Sequence, residues 1–216
     1  MKRIIITGAT GMIGGLALKY CLESDTVAYV TSISRKSVNI QHSKLNEVLH
    51  DDFTDYSTIE SHFQNQDICL FCIGVYTGAV PTDLFTKITV DFTKAFGETL
   101  KAHSPNATFC FLSGQGADST EKSRILFARD KGIAENFLLK LNFAATHIFR
   151  PGYIYPVTPR EEPNFTYRLM RTLYKPVSVI YPNIGLTSET LAKAMVTVGL
   201  NGIDKTILEN RDIKAV

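Results

Sequence analysis

No apolar run in this chain exceeds the length of a buried strand, well short of the roughly 20 residues that a membrane helix needs. Nor is there a basic block or an acidic tail. The 23 Lys and Arg and 21 Asp and Glu are interspersed along the chain, which argues against a nucleic-acid partner. Met1 is followed within three residues by strand-like sequence, which predicts no secretory leader and a cytoplasmic protein. Cysteine is scarce, with only Cys21, Cys69, Cys72 and Cys110. Cys69-Leu-Phe-Cys72 has CxxC spacing, but it lies in an apolar run that reads as a strand. Positions i and i+3 of a strand face opposite ways, so the two sulfurs are expected to be core thiols, not metal ligands. The five histidines show no ligand spacing either, and no metal site is expected.

What is present is ordinary globular material, with 44% apolar and 20% charged residues. A length of 216 residues predicts one domain with an appended cap, 151–216. Short β-branched runs alternate with longer helical stretches. Strands are expected at Arg3–Thr7, Val27–Ile33, Asn46–Leu49, Ile68–Ile73, Thr108–Leu112 and Thr146–Phe149. Helices are expected near Met12–Glu23, Tyr56–Asn65, Thr82–His103 and Glu121–Leu141. This alternation predicts an α/β fold, a Rossmann-type doubly wound parallel sheet with a small C-terminal cap. After Arg150 the prolines 151, 156, 159, 163, 176 and 182 imply mostly loop, with one helix near Asn164–Tyr174. A last helix is expected at Ser188–Leu200, capped by Thr187 or Ser188 and closed by Gly202.

Ile4-Ile5-Ile6-Thr7-Gly8-Ala9-Thr10-Gly11-Met12-Ile13-Gly14 places three glycines between the first strand and the first helix. Gly8 permits a tight turn, Gly11 lets a pyrophosphate approach the backbone, and Gly14 lets the helix pack close to the sheet. The helix N-terminus then aims N–H groups at the phosphates. Gly8, Thr10, Gly11, Met12, Ile13 and Gly14 are therefore expected at a dinucleotide, although a tight turn without ligand has the same sequence. An NAD site usually carries an acid about 20 residues further on. Here that place holds Ser34-Arg35-Lys36, whose hydroxyl and cations suit a 2′-phosphate, so NADP(H) is expected ahead of NAD(H). A solvated Arg-Lys loop pair is the alternative.

Further motifs follow at Cys72-Ile73-Gly74, Leu112-Ser113-Gly114-Gln115-Gly116-Ala117-Asp118, Lys131-Gly132 and Arg150-Pro151-Gly152. With the glycine turn they make the chain resemble the short-chain dehydrogenase/reductase superfamily over most of its length. The resemblance is to its small atypical branch of epimerase/dehydratase-like proteins, and within that to the Tat-interacting oxidoreductase group. It implies an NADP(H)-binding oxidoreductase with a small-molecule substrate. It also implies Asp52 and Phe53 near the adenine, and Cys72, Ile73 and Gly74 near the adenosine ribose. Lys131 would hold the nicotinamide ribose, Pro151, Gly152 and Ile154 would line the nicotinamide, and Ser113 would polarise a substrate carbonyl. Ser113 as a strand-end hydroxyl and Lys131 as a solvated helix lysine are the plainer alternatives. The 66 residues after Arg150 make a cap too small for a sugar nucleotide.

One position departs from that pattern. The family's catalytic helix carries Tyr-x-x-x-Lys, with the cation one turn away lowering the phenol's pKa. Here the stretch is Phe127-Ala128-Arg129-Asp130-Lys131, and Phe127 has no proton to give. Tyr76, Tyr153, Tyr155 or a water held by Ser113 and Lys131 could substitute. Asp91 falls where many relatives have Asn. Two functions follow. One is a reductase of a small or flat substrate, as in the flavin/biliverdin reductases, which this chain resembles in length and which lack that Tyr. The other is a catalytically silent NADPH-binding sensor or interaction protein, with an epimerase/dehydratase-type enzyme as a further alternative; in each case a monomer or homodimer is expected.

Overall fold

The computed structural model describes residues 1–157 and 183–216. Seven strands form one wholly parallel sheet in the order β3-β2-β1-β4-β5-β6-β9. They are β1 (Lys2–Thr7), β2 (Val27–Ser34), β3 (Leu45–Leu49), β4 (Ile68–Phe71), β5 (Thr108–Leu112), β6 (Ala145–Arg150) and β9 (Ile207–Glu209). The order reverses between β1 and β4, and such a reversal opens a crevice at the carboxyl ends of the strands. A separate parallel pair joins β7 (Tyr153–Tyr155) to β8 (Gly185–Thr187).

Successive side chains of a strand face opposite ways, and β1 shows the consequence. Ile4 and Ile6 enter one core with Leu18, Cys21, Leu191 and Met195, beneath α1 (Met12–Glu23) and α5 (Ser188–Asn201). Ile5 enters the other with Phe71, Phe96, Phe109 and Leu138, beneath α3 (Phe92–His103) and α4 (Leu126–Lys140). The strands are buried on both faces, which is why they read as continuous apolar runs. Cys69 and Cys72 part in the same way, one into each core, and all four thiols are free. Among the described residues no cluster suits a metal ion and no helix is long and apolar enough to cross a membrane.

Several elements differ from expectation. Instead of a helix over 56–65 there is one 3₁₀ turn, Glu60–Phe63. Asp52 and Asp55 bind the amides of Thr54 and Ser57, and such local bonds compete with a helix. The fourth helix starts at Leu126, not Glu121, because the Asp118 carboxylate takes the amides of Thr120, Lys122 and Ser123. The stretch 82–103 is α2 (Thr82–Thr86), a π-helical turn at Lys87–Asp91, then α3. Strand β4 ends two residues early at Phe71. The pair β7–β8, strand β9 and the terminal helix α6 (Asn210–Ala215) have no counterpart in the sequence reading. The helix expected near 164–174 lies outside the described residues. The helix α5 is as expected: Thr187 accepts from the Thr190 amide, and Gly202 follows at φ +71°.

Candidate functional site

The turn after β1 is built from close backbone contacts. Gly8 sits at φ +72°, and a Cβ there would lie 2.6 Å from the Cys72 carbonyl oxygen. A Cβ on Gly14 would meet the Gly8 oxygen at 2.2 Å, so α1 starts almost against the turn. The Gly11 amide donates to the Gly8 carbonyl at 2.9 Å. No side chain caps α1 at Gly11, and its first turn carries no acid. An uncapped helix N-terminus at a strand's carboxyl end fits a diphosphate.

Beside this turn opens a cavity of about 650 Å³. Its wall takes Gly11, Met12 and Ile13 from the turn and Cys72, Ile73 and Gly74 from the loop after β4. Ser113 after β5, Phe127 and Lys131 on α4, and Pro151, Gly152 and Ile154 after β6 line it as well. Tyr76 and Tyr153 also line it, as does Gln115, which the sequence reading missed; Tyr155 does not. Burial pushes the Cys72 thiol up to about 12, so it stays protonated.

The other expected cofactor residues stand outside this wall. Gly8 and Gly14 shape the turn through close backbone contacts, and Thr10 is exposed within it. Arg35 and Lys36 are exposed after β2, and the Ser34 hydroxyl donates to the Lys36 carbonyl at 2.8 Å. Phe53 is buried against Phe92 and Tyr56, with ring centroids 5.6 and 6.0 Å away. The Thr54 hydroxyl and amide bind the Asp52 carboxylate and hold it below the usual carboxylate range.

Helix α4 contributes Phe127 and Lys131 to the same wall. Lys131 is buried; its Nζ donates to the Leu112 carbonyl at 3.0 Å and lies 4.9 Å from the Phe111 ring centroid. Burial lowers its pKa to about 8, against the opposing charge of Glu135. One turn earlier, the Phe127 ring lies over Gly114, whose missing side chain makes room for it. A Cβ on Gly114 would meet Phe127 Cζ at 2.6 Å. Asp91 is exposed at the end of the π-helical turn.

The Ser113 hydroxyl, expected to polarise a carbonyl, donates to Glu135 Oε1. Glu135 is 1% exposed and pairs with Arg150, whose Nε reaches both carboxylate oxygens, at 3.1 and 3.2 Å. Sequence reasoning missed Glu135, although an acid four residues after Lys131 on the buried stripe of α4 was a signal. It also missed Asn210, whose Oδ1 accepts the Gly152 amide at 2.9 Å and whose Nδ2 binds the Asn183 and Gly185 carbonyls. No local pattern marks that residue.

No family model matches the sequence. The chain is 28% identical over 156 residues to protein HTATIP2 of Rattus norvegicus, covering 71% of this chain and 63% of the rat protein. The match thus spans less than two thirds of that relative. It is 25% identical over 207 residues to protein FMP52, mitochondrial, of Meyerozyma guilliermondii, covering 94% of this chain and 88% of that protein. Among solved structures, the YIR035C short chain dehydrogenases/reductase from Saccharomyces cerevisiae superposes with a TM-score of 0.74 at 16% identity, over 98% of this chain and 97% of that one. The Bordetella bronchiseptica enzyme WbmH in complex with NAD+ gives 0.71 at 14% identity, over 97% and 75%. These two share the fold. Glycine turn, strand order and these likenesses agree: the fold is the one shared with these dehydrogenase structures, and in sequence the chain is similar to HTATIP2 and FMP52.

Proposed function

We propose that the chain is an NADP(H)-dependent reductase whose acceptor stabilises the incoming negative charge by itself, as a flavin or a quinone does. One observation carries this reading: the residue one turn before Lys131 is the hydrocarbon Phe127, packed on Gly114 in the cavity wall. Tyr76 and Tyr153 add phenols to that wall, but neither sits one helical turn from Lys131, where the cation would lower a phenol's pKa. Lys131 is the one charged side chain lining the cavity among the described residues. It would hold the nicotinamide ribose and place positive charge beside the acceptor.

The coenzyme, when bound, supplies a hydride. This chain's residues orient it: α1 faces the diphosphate, Arg35 and Lys36 take the 2′-phosphate, and Pro151, Gly152 and Ile154 flank the nicotinamide. A general acid typically contributes on the order of 10²–10⁴ in rate, so simple ketones should be poor acceptors. The test is NADPH consumption with a panel of flavins, quinones and ketones. Turnover confined to flavins or quinones supports the reading, and no oxidation with any of them overturns it. The loss of the family's proton donor also favours a second reading, an NADPH-binding sensor without turnover. Hydrogen exchange after Arg150 that ignores added coenzyme would remove that alternative. The four free, buried thiols fit a reducing compartment, and the reading keeps the cytoplasm, which cell fractionation checks.

A further inference from the structure

We propose that Glu135 sets the hydrogen-bonding polarity of the substrate end of the cavity. By holding the Ser113 hydrogen it leaves Ser113 an acceptor, so the site selects a ligand that presents a hydroxyl or N–H there over a bare carbonyl. The inference deepens the proposed function by favouring, of its two acceptor classes, a flavin with an imide N–H over a quinone with bare carbonyls, and it rests on the reading of this cavity as the substrate site.

A serine hydroxyl has a single hydrogen, and an ionised carboxylate can only accept. Glu135 is ionised because its two oxygens share the Arg150 guanidinium. In the Ser113–Glu135 bond the serine is therefore the donor. Bonds to a charged acceptor are about twice as strong as bonds between neutral groups, so a ligand carbonyl does not win this hydrogen away. Lone pairs are what Ser113 can still offer.

Neither partner is free to swing. The Ser113 amide donates to the Phe149 carbonyl at 2.8 Å, which ties the serine to β6. Arg150 is held in turn by Ser119 at 2.9 Å and Glu209 at 3.3 Å, so the carboxylate is clamped from behind. On the other side Lys131 Nζ donates to the carbonyl of Leu112, the residue just before Ser113. The cavity thus offers a cationic donor next to a neutral acceptor. A group that both accepts and donates, an alcohol or an imide N–H beside its carbonyl, satisfies both.

Glu135 is thus a positioning residue, and exchanging its acceptor for an amide should reverse the preference. In Glu135→Gln the amide can donate to Ser113 and turn the serine hydrogen towards the ligand. The probes are cyclohexanol and cyclohexanone, titrated into the full chain without coenzyme by ligand-observed NMR, so that no hydride transfer intervenes. Wild type should bind the alcohol about threefold to tenfold tighter, the size of one net hydrogen bond. Ser113→Ala, which leaves the Glu135–Arg150 pair intact, should bind the two equally, and Glu135→Gln should prefer the ketone. Equal binding by wild type, or a preference that survives in Ser113→Ala, overturns the inference. Failure of both probes to bind overturns instead the reading of the cavity as the substrate site, and the inference with it.

Discussion

A buried ammonium loses hydration that only its partners can return, and for Lys131 these are the Leu112 carbonyl and the Phe111 ring. They do not return all of it, since the pKa falls from its ordinary 10.5 to about 8. Between those values the unfolded chain holds a proton that the folded one has released, so stability rises with pH across that window. Below it the cost of the buried charge is fully present. Lys131→Met should therefore melt higher than wild type at neutral pH and lose the alkaline rise, while binding coenzyme more weakly. Melting curves at several pH values check the first two, and a titration checks the third. Phe127→Tyr restores a phenol one turn from this cation. Ketone reduction should increase by roughly 10²–10⁴ if the missing acid is what limits the site. At the other end of the coenzyme, Arg35→Ala should weaken NADPH about tenfold or more and leave NADH nearly unchanged, as fits a lost charged hydrogen bond. Equal losses for both coenzymes would remove the 2′-phosphate assignment.

Helix α4 places Phe127 and Lys131, and its start is set by the loop before it. The Asp118 carboxylate gathers the amides that would otherwise begin the helix five residues earlier, and Glu121 adopts φ +62° within that loop. A Cβ on Gly132 would lie 1.8 Å from the Asp118 carbonyl oxygen, so helix and loop touch backbone to backbone. Gly132→Ala should cost about 1–3 kcal/mol by overpacking and weaken coenzyme binding through Lys131, both readable in a melt and a titration. No change in either would mean that the loop yields freely. This element also shows how far sequence reading reaches. Strands β1, β2, β4, β5 and β6 were legible because burial on both faces leaves a continuous apolar run. The three-residue strands β7, β8 and β9 are too short to show any period. Helix starts were misread where Asp side chains bind nearby amides.

Across the whole molecule Arg150 joins parts that are distant in the chain. From the end of β6 it reaches Glu135 on α4, Ser119 in the Asp118 loop and Glu209 on β9. Removing one partner of a buried pair costs about 3–5 kcal/mol, because a bare charge is left inside. Arg150→Met should lose that much in a urea titration. Glu209→Gln should lose less than about 1 kcal/mol, since the Glu209 side chain is 48% exposed. Similar losses for the two variants would mean that Glu135 does not depend on Arg150. What the amino-acid order determined alone were features with short reach: the glycine turn, the alternation that orders the sheet, and the Phe127–Lys131 spacing on one helix. Each depends on residues within a few positions of one another. Only the tertiary structure decided which way the Ser113 hydrogen points, because the carboxylate that takes it comes from 22 residues away and is held by an arginine 15 residues further on. Packing, and no local pattern, brings those three side chains together.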